Sequence, residues 1–281
     1  MSLSWPWQFV SLSESEKQHR RELLTLRGYY AQASVLLAII LLRTYMAFPS
    51  IDQPPRDRRR RPWLDSPLFA AWFETRRQYF LCLGWLSWLL FLSVWSTGND
   101  YLHFTKALGH VGLSQLPLQV AMSPAFYVTS TPRASSLVSV LTSIPQPTVT
   151  AYHRLFARIV IAPLLVGHAF CYCLFFLQST HPDFGSLFAK RVRDPDVQWG
   201  IAAVSVALSI MLFARPVGAT GGIWKGSIMD RRRAFYIVHI MLVGALCFGA
   251  FFHVAQAQAF VLESSAIFLV NLGCCYKTVQ R

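Results

Sequence analysis

Charged residues are scarce in this sequence. Only 14% of its 281 residues are Asp, Glu, Lys or Arg, whereas 54% are hydrophobic and 14% are aromatic. Ordinary soluble domains carry about 25% charged residues, so the composition excludes that class. The long apolar runs predict an integral membrane protein whose fold is all-α, a polytopic bundle of membrane-crossing helices.

Acidic residues are the rarer of the two charge types. The chain has 13 of them against 26 Lys and Arg, which gives a formal net charge of +13. Much of the positive charge lies in arginine clusters that flank apolar segments, where the positive-inside rule places it. The basic balance therefore indicates membrane topology rather than binding to nucleic acid.

Cysteine is also infrequent, and its spacing carries no motif. No Cys and His spacing is typical of a zinc site, and the cysteines lie in or beside apolar runs, which does not indicate a disulfide scaffold. No cleavable signal peptide is evident, because the charged stretch EKQHRREL precedes the first apolar run. The six cysteines are Cys82, Cys171, Cys173, Cys247, Cys274 and Cys275.

Seven apolar segments are predicted to cross the membrane. They divide the chain into a polar N-terminal segment (1–28), a first span with a basic loop (29–78), a transmembrane domain (79–276) and a short tail (277–281). The predicted spans are 29–48, 79–95, 104–127, a fourth that carries His153 and His168 and ends near 177, 199–213, 234–253 and 258–276.

Two irregular regions interrupt this pattern. The third span contains glycines and Pro117, so it is predicted to be a kinked helix that faces its neighbours rather than lipid. Residues 128–150 are rich in Ser, Thr and Pro and are predicted to form a loop or a short interfacial helix. A tight turn at 255–257 is expected to join the last two spans.

The distribution of basic residues predicts the orientation. The loops after the first, third and fifth spans and the C-terminal tail are expected in the cytosol and the N-terminus outside, although six crossings remain open if the first segment lies in the interface. These loops and the tail contain the arginine run 58–61, Arg133, Arg215, Lys225, the run 231–233, Lys277 and Arg281.

Two of the spans carry a histidine near each end. His239 and His253 are 14 residues apart and His153 and His168 are 15 apart, which places each pair near one face of its helix, about 21 Å apart along the axis. A single intramembrane histidine is as often a hydrogen-bonded packing residue as a ligand of a bound centre. Four intramembrane histidines at matched depths on two helices favour bound metal centres, each held between one histidine of either helix.

The predicted topology decides which histidines pair. The fourth and sixth spans are separated by one crossing, so both run outward in parallel. We therefore expect His153 to lie level with His239 near the inner leaflet, and His168 level with His253 near the outer leaflet.

These residues resemble the transmembrane ferric reductase domain shared by fungal ferric-chelate reductases and NADPH oxidases. The resemblance covers roughly residues 80–276. It rests on Gly109 and Gly112 with GLSQLPLQVAMSP, on the HR-x-x-x-R start of the fourth span, and on the paired histidines.

The resemblance implies a function and a set of ligands. It implies two b-type haems, with His153 and His239 on the inner iron and His168 and His253 on the outer iron. Electrons would pass from a cytosolic flavin through the inner and then the outer haem to an external ferric chelate or similar acceptor. Arg158, with Arg154 and the run 231–233, is predicted near the inner haem propionates, although topology explains these arginines equally well. The protein is expected in the plasma membrane or another endomembrane.

The fourth span departs from the family pattern. It has one residue too many between its histidines and contains Pro163. Proline removes a backbone hydrogen bond and clashes with the preceding turn, and a one-residue bulge there would restore the facing of both histidines. We predict such a bulge between Ile159 and Leu165.

The cytosolic half of the family is not recognised in this sequence. The sequence contains no segment typical of a flavin-binding barrel and no glycine-rich dinucleotide-binding loop. FAD and NADPH are therefore expected only through a partner, which would be a cytosolic flavoprotein reductase. Alternatively, the chain is a truncated copy of a full reductase. The alternative is a degenerate, non-catalytic membrane scaffold or transporter component that keeps the fold without electron transfer.

Overall fold

α-Helices build nearly all of the part of the chain that the structure describes. The computed structural model describes residues 8, 10–47, 63–68, 74–123, 134–213 and 227–280, and these contain no β-strand. The helices are α1 (Glu14–Ala47), α2 (Arg76–Val94), α3 (Tyr101–Leu113), α4 (Leu116–Ala121), α5 (Leu137–Thr142), α6 (Gln146–Phe156), a π-helical turn (Ala157–Ile161), α7 (Ala162–Gln178), α8 (Leu187–Arg191), α9 (Pro195–Phe213), α10 (Ile228–His253) and α11 (Ala255–Gln280).

Six helices of the described chain are long and apolar enough to cross a membrane: α1, α2, the continuous rod Gln146–Gln178, α9, α10 and α11. Many of their large apolar side chains point outward; Leu36, Met241 and Leu269 are each more than 60% exposed. A soluble protein rarely exposes so much apolar surface. The protein is an integral, multi-pass membrane protein, and the predicted all-α helical bundle is confirmed.

The predicted count of seven crossings is not confirmed, because the third predicted span is broken. Its described part forms α3, of 13 residues, and α4, of 6. The break falls at Ser114 and Gln115, and Pro117 lies in the first turn of α4, where its missing N–H costs nothing. Ten of the 13 residues of α3 are buried. This helix packs on α1, α2 and α7, so it faces its neighbours as predicted.

The first helix is tied to the bundle by buried polar contacts. Arg27 is 1% exposed; its guanidinium is 2.8 Å from His103 Nε2 and also donates to the Trp95 carbonyl. A buried guanidinium requires hydrogen-bond acceptors, and the imidazole and the carbonyl supply them. Gln32 of the same helix donates to Glu263 of α11. These contacts hold α1 against α3 and α11.

Several boundaries differ from the prediction. The turn between the last two long helices is shorter than 255–257: α10 ends at His253, Val254 alone has extended backbone, and α11 begins at Ala255. Within 128–150, α5 and the start of α6 form the described part. The arginine run 58–61, Arg133, Arg215, Lys225 and Arg281 lie outside the described residues.

Candidate functional site

The four predicted histidines lie in two facing pairs. The ring centroids of His153 and His239 are 6.4 Å apart, and those of His168 and His253 are 6.2 Å apart. Because the early histidine of one helix faces the early histidine of the other, the two helices run parallel, as predicted. We call His153 and His239 the inner pair, and His168 and His253 the outer pair, after the predicted orientation.

The extra residue of the fourth span is absorbed by the π-helical turn at Ala157–Ile161. A π-turn adds one residue to an α-helix, so a spacing of 15 presents its ends as a spacing of 14 does in a regular helix. Pro163 follows in the first turn of α7. Its ring would clash with the carbonyl of Ile159 in an uninterrupted α-helix. The predicted bulge is confirmed, and its position is corrected: it begins two residues earlier than expected.

Backbone carbonyls hold three of the four imidazoles. The Nδ1 atom of His168 lies 2.7 Å from the Thr105 carbonyl oxygen, and that of His253 lies 2.6 Å from the Asp196 carbonyl oxygen. A carbonyl only accepts, so each Nδ1 carries the hydrogen and donates it. The lone pair of each outer ring is then on Nε2, which makes that nitrogen the one able to bind a metal.

The inner pair is held by the short helix α4 and by an aromatic ring. His153 Nδ1 lies 3.0 Å from the Gln119 carbonyl oxygen, and the Gln119 side-chain amide donates to the His153 carbonyl at 2.9 Å. His239 stacks on Phe235, with centroids 5.4 Å apart and planes 20° apart. The GLSQLPLQ segment therefore reaches the inner pair through Gln119.

Two glycines give the outer histidines room. A Cβ atom on Gly109 of α3 would lie 2.9 Å from the His168 ring, and one on Gly200 of α9 would lie 2.6 Å from the His253 ring. Carbon atoms pack at about 3.5–4.0 Å, so neither position accepts a side chain without moving the imidazole. The neighbouring helices thus fit closely around both outer rings.

Arg158 is engaged by a carboxylate that sequence analysis missed. Its guanidinium lies 2.8 Å from Glu74, and that of Arg154 lies 3.6 Å from the same carboxylate. The Glu74 side chain is 8% exposed and stands just before α2, which begins with Arg76 and Arg77. No spacing in the sequence connects it with the fourth span. Contact of Arg158 with a cofactor stays a prediction.

Other buried polar side chains of the bundle have packing partners in the structure. His103 pairs with Arg27, and the ring of His110 packs edge-on against Phe260 at 4.9 Å. Cys275 is buried, with Sγ 3.5 Å from the Ser135 carbonyl oxygen. Both histidines are buried within the bundle.

Comparison with protein families gives one match. The family model described as ferric reductase like transmembrane component matches residues 108–250, half of the chain. This protein belongs to the ferric reductase-like transmembrane family. The matched region holds His153, His168 and His239, and it ends just before His253. Comparisons with curated proteins and with solved structures gave no match.

Membership in this family suggests transmembrane electron transfer. In this ferric reductase-like chain, the matched region contains the C-terminal part of α3, the rod with the π-turn, α9 and most of α10. The helices α1, α2 and α11 lie outside the match and pack around it. The matched region therefore carries the inner pair and His168, and His253 follows it on the same helix α10.

Proposed function

We propose that this protein is a transmembrane electron carrier with two b-type haems, and that it reduces an external ferric chelate or a similar acceptor. His153 and His239 would hold the inner iron, and His168 and His253 the outer iron. A cytosolic flavoprotein would supply the electrons. The observation that carries the proposal is the presence of two facing histidine pairs at two levels of parallel helices.

The separation of the rings supports this assignment. A metal bound to imidazole lies about 2 Å from the nitrogen, and each nitrogen lies about 1 Å from the centre of its ring. Two imidazoles on opposite sides of one iron therefore have centroids about 6 Å apart. The inner and outer pairs, at 6.4 and 6.2 Å, fit that requirement without movement of the helices.

The number of protein ligands at each level points to the same group. Among the described residues, no cluster of three or more His, Cys, Asp or Glu side chains is placed to hold a bare metal ion. Two imidazoles alone suit a metal whose other four ligands belong to a macrocycle. The outer rings also have Nε2 available, because their Nδ1 atoms face carbonyl oxygens.

A haem held by two imidazoles would supply an iron centre that gains and loses one electron. The chain's own residues would orient the rings through Thr105, Asp196 and Gln119. The helices around the pairs would exclude water, since charged groups are few inside the bundle. The family's external acceptor and cytosolic donor enter this proposal by resemblance only.

The direct test is the haem content of the purified full-length protein. We expect a b-type absorbance spectrum and a haem-to-protein ratio of about two. When the protein is in liposomes with dithionite inside, an external ferric chelate should be reduced, and empty liposomes provide the control. A protein without any haem signal would reject the proposal and favour the scaffold alternative.

The π-turn provides a second prediction, which concerns register. Deletion of Ile159 together with Pro163→Ala shortens the histidine spacing to that of α10 and removes the clash of the proline ring. A regular α-helix should then keep both pairs facing, so the haem content should stay at the wild-type value.

Deletion of Gly244 from α10 is the matched control. A Cβ atom at this glycine would meet nothing within 4 Å, but its removal rotates His253 by about 100° relative to His239. That variant should lose one haem. If both deletions lose haem equally, the π-turn does not act by setting the register.

A further inference from the structure

Arg191 lies at the centre of a polar cluster at the end of the outer pair. It is the last residue of α8, and its guanidinium is shared among three side chains. Nη1 lies 2.5 Å from Asp194 Oδ2, and both Nε and Nη2 lie 3.3 Å from the Tyr172 hydroxyl. Nη2 also lies 3.6 Å from Asp196 Oδ2. One side chain thus joins α7 to the start of α9.

One arm of this cluster leads to His253. Asp196 lies in the first turn of α9, and its carbonyl oxygen receives the hydrogen bond from His253 Nδ1 at 2.6 Å. Arg191 contacts the carboxylate of the same residue. The position of the first turn of α9 therefore decides where the carbonyl stands and how the His253 ring is turned.

The other arm leads to His168. Tyr172 follows His168 by one helical turn on α7, and the two ring centroids are 6.1 Å apart. The Tyr172 ring packs on Phe176, with centroids 4.4 Å apart, and the Arg191 guanidinium lies 5.9 Å from the same phenylalanine ring. Arg191 therefore fixes the aromatic side chain that stands beside the second outer histidine.

We propose that Arg191 is a positioning residue that couples the two outer histidines and sets the angle between their imidazole planes, which is 58°. The inference rests on the proposed function, because the angle has consequences only where an iron lies between the rings. Arg191 would act through Tyr172 on one side and through the Asp196 main chain on the other. It would not touch the haem itself.

The chemistry of the guanidinium explains why arginine stands here. Its planar fork presents five N–H donors in fixed directions, so it contacts a hydroxyl and two carboxylates at the same time. A lysine ammonium carries the same charge but reaches as a single point. A role in positioning therefore requires the fork, whereas a role through charge alone would be satisfied by lysine.

The test uses the full-length protein with haem bound and compares Arg191→Gln and Arg191→Lys with wild type. The measurements are the haem-to-protein ratio, the potential of each haem, and the low-spin EPR signal, which depends on the angle between the two axial imidazole planes. We expect both variants to change the outer EPR signal. The potential of the outer haem should fall in Arg191→Gln, because a cation is lost beside two carboxylates. The inner haem should keep its signal and potential.

Arg193→Gln is the matched control. Arg193 lies in the same loop and is exposed, and its guanidinium packs over the Phe184 ring at 4.8 Å. The substitution removes the same charge, and we expect it to leave the outer EPR signal unchanged. Tyr172→Phe gives an independent variant, since it removes the hydroxyl and keeps the ring. It should change the outer signal in the same sense as Arg191→Gln, and it serves as the test if the arginine variants fail to fold.

The outcomes separate this inference from the proposed function. If the wild-type protein binds two haems and the outer signal is unchanged in Arg191→Gln or in Tyr172→Phe, the inference is overturned while the proposed function stands. A normal signal in Arg191→Lys, or an equal change in Arg193→Gln, would assign the effect to charge and also overturn it. A wild-type protein without haem would overturn both.

Discussion

Replacing His168 with alanine is expected to remove one of the two haems and leave the other in place. Its partner His253 would then offer a single imidazole, which holds a b-type haem much less firmly than two. The haem-to-protein ratio should fall from about two to about one. His239→Ala should cause the same loss at the inner level.

The two variants should differ in what remains. His168→Ala should keep the spectrum and potential of the inner haem, and His239→Ala those of the outer haem, because the two levels are about 21 Å apart along the helix axis. Reduction of an external acceptor in liposomes should be lost in both variants, since the proposed function places the two haems in series. Absorbance difference spectra and redox titration measure these effects.

His19→Ala is the control for the loss of a histidine as such. This residue is exposed near the start of α1, so its replacement should leave the haem content unchanged. Two haems retained in His168→Ala or in His239→Ala would contradict the assigned ligands. An equal loss in all three variants would indicate damage to folding.

The second large effect is expected at Gly200. In Gly200→Ala the new methyl group would lie 2.6 Å from Cε1 and 2.8 Å from Nδ1 of His253. The ring would have to swing away, and Nδ1 would lose its hydrogen bond to the Asp196 carbonyl oxygen. A displaced imidazole cannot stay in line with His168, so the outer haem should be lost or bound in high-spin form.

Gly167→Ala and Gly244→Ala are the matched controls, because a Cβ atom at either position would meet nothing within 4 Å. Gly167 is next to His168 in the chain, and Gly244 lies on the helix of His253. Alanine should even stabilise these helices by about 0.5–1 kcal/mol. Haem quantification and the ferric absorbance spectrum of the three variants show whether the outer haem is retained. Full outer occupancy in Gly200→Ala would show that the ring has more freedom than its contacts indicate.

The long helices and the pairing of the histidines could be predicted from the sequence because both depend on periodicity. The spacing of 15 and the nearby Pro163 together required an extra residue in the helix, and the π-turn supplies it. The break between α3 and α4 was predicted only as a kink. Its position depends on how Ser114 and Gln115 pack in the bundle, which local sequence does not determine.

The groups that orient the imidazoles could not be predicted. Those of His168 and His253 are main-chain oxygens of Thr105 and Asp196, and a carbonyl group is present at every position of every chain. Glu74 was missed for a related reason: it meets Arg158 through tertiary contact across more than 80 positions. Gln119 lay within a recognised segment, but its direction toward His153 depends on the turn into α4.

The use of main-chain oxygens also affects how this site can evolve. Any amino acid at positions 105 and 196 other than one that distorts the backbone still supplies the oxygen that holds the ring. The side chain at position 105 can therefore change among residues of similar size while the oxygen stays in place, whereas the carboxylate of Asp196 is tied to Arg191. A count of identical residues would rank position 105 as unimportant, although its carbonyl oxygen fixes the tautomer of His168.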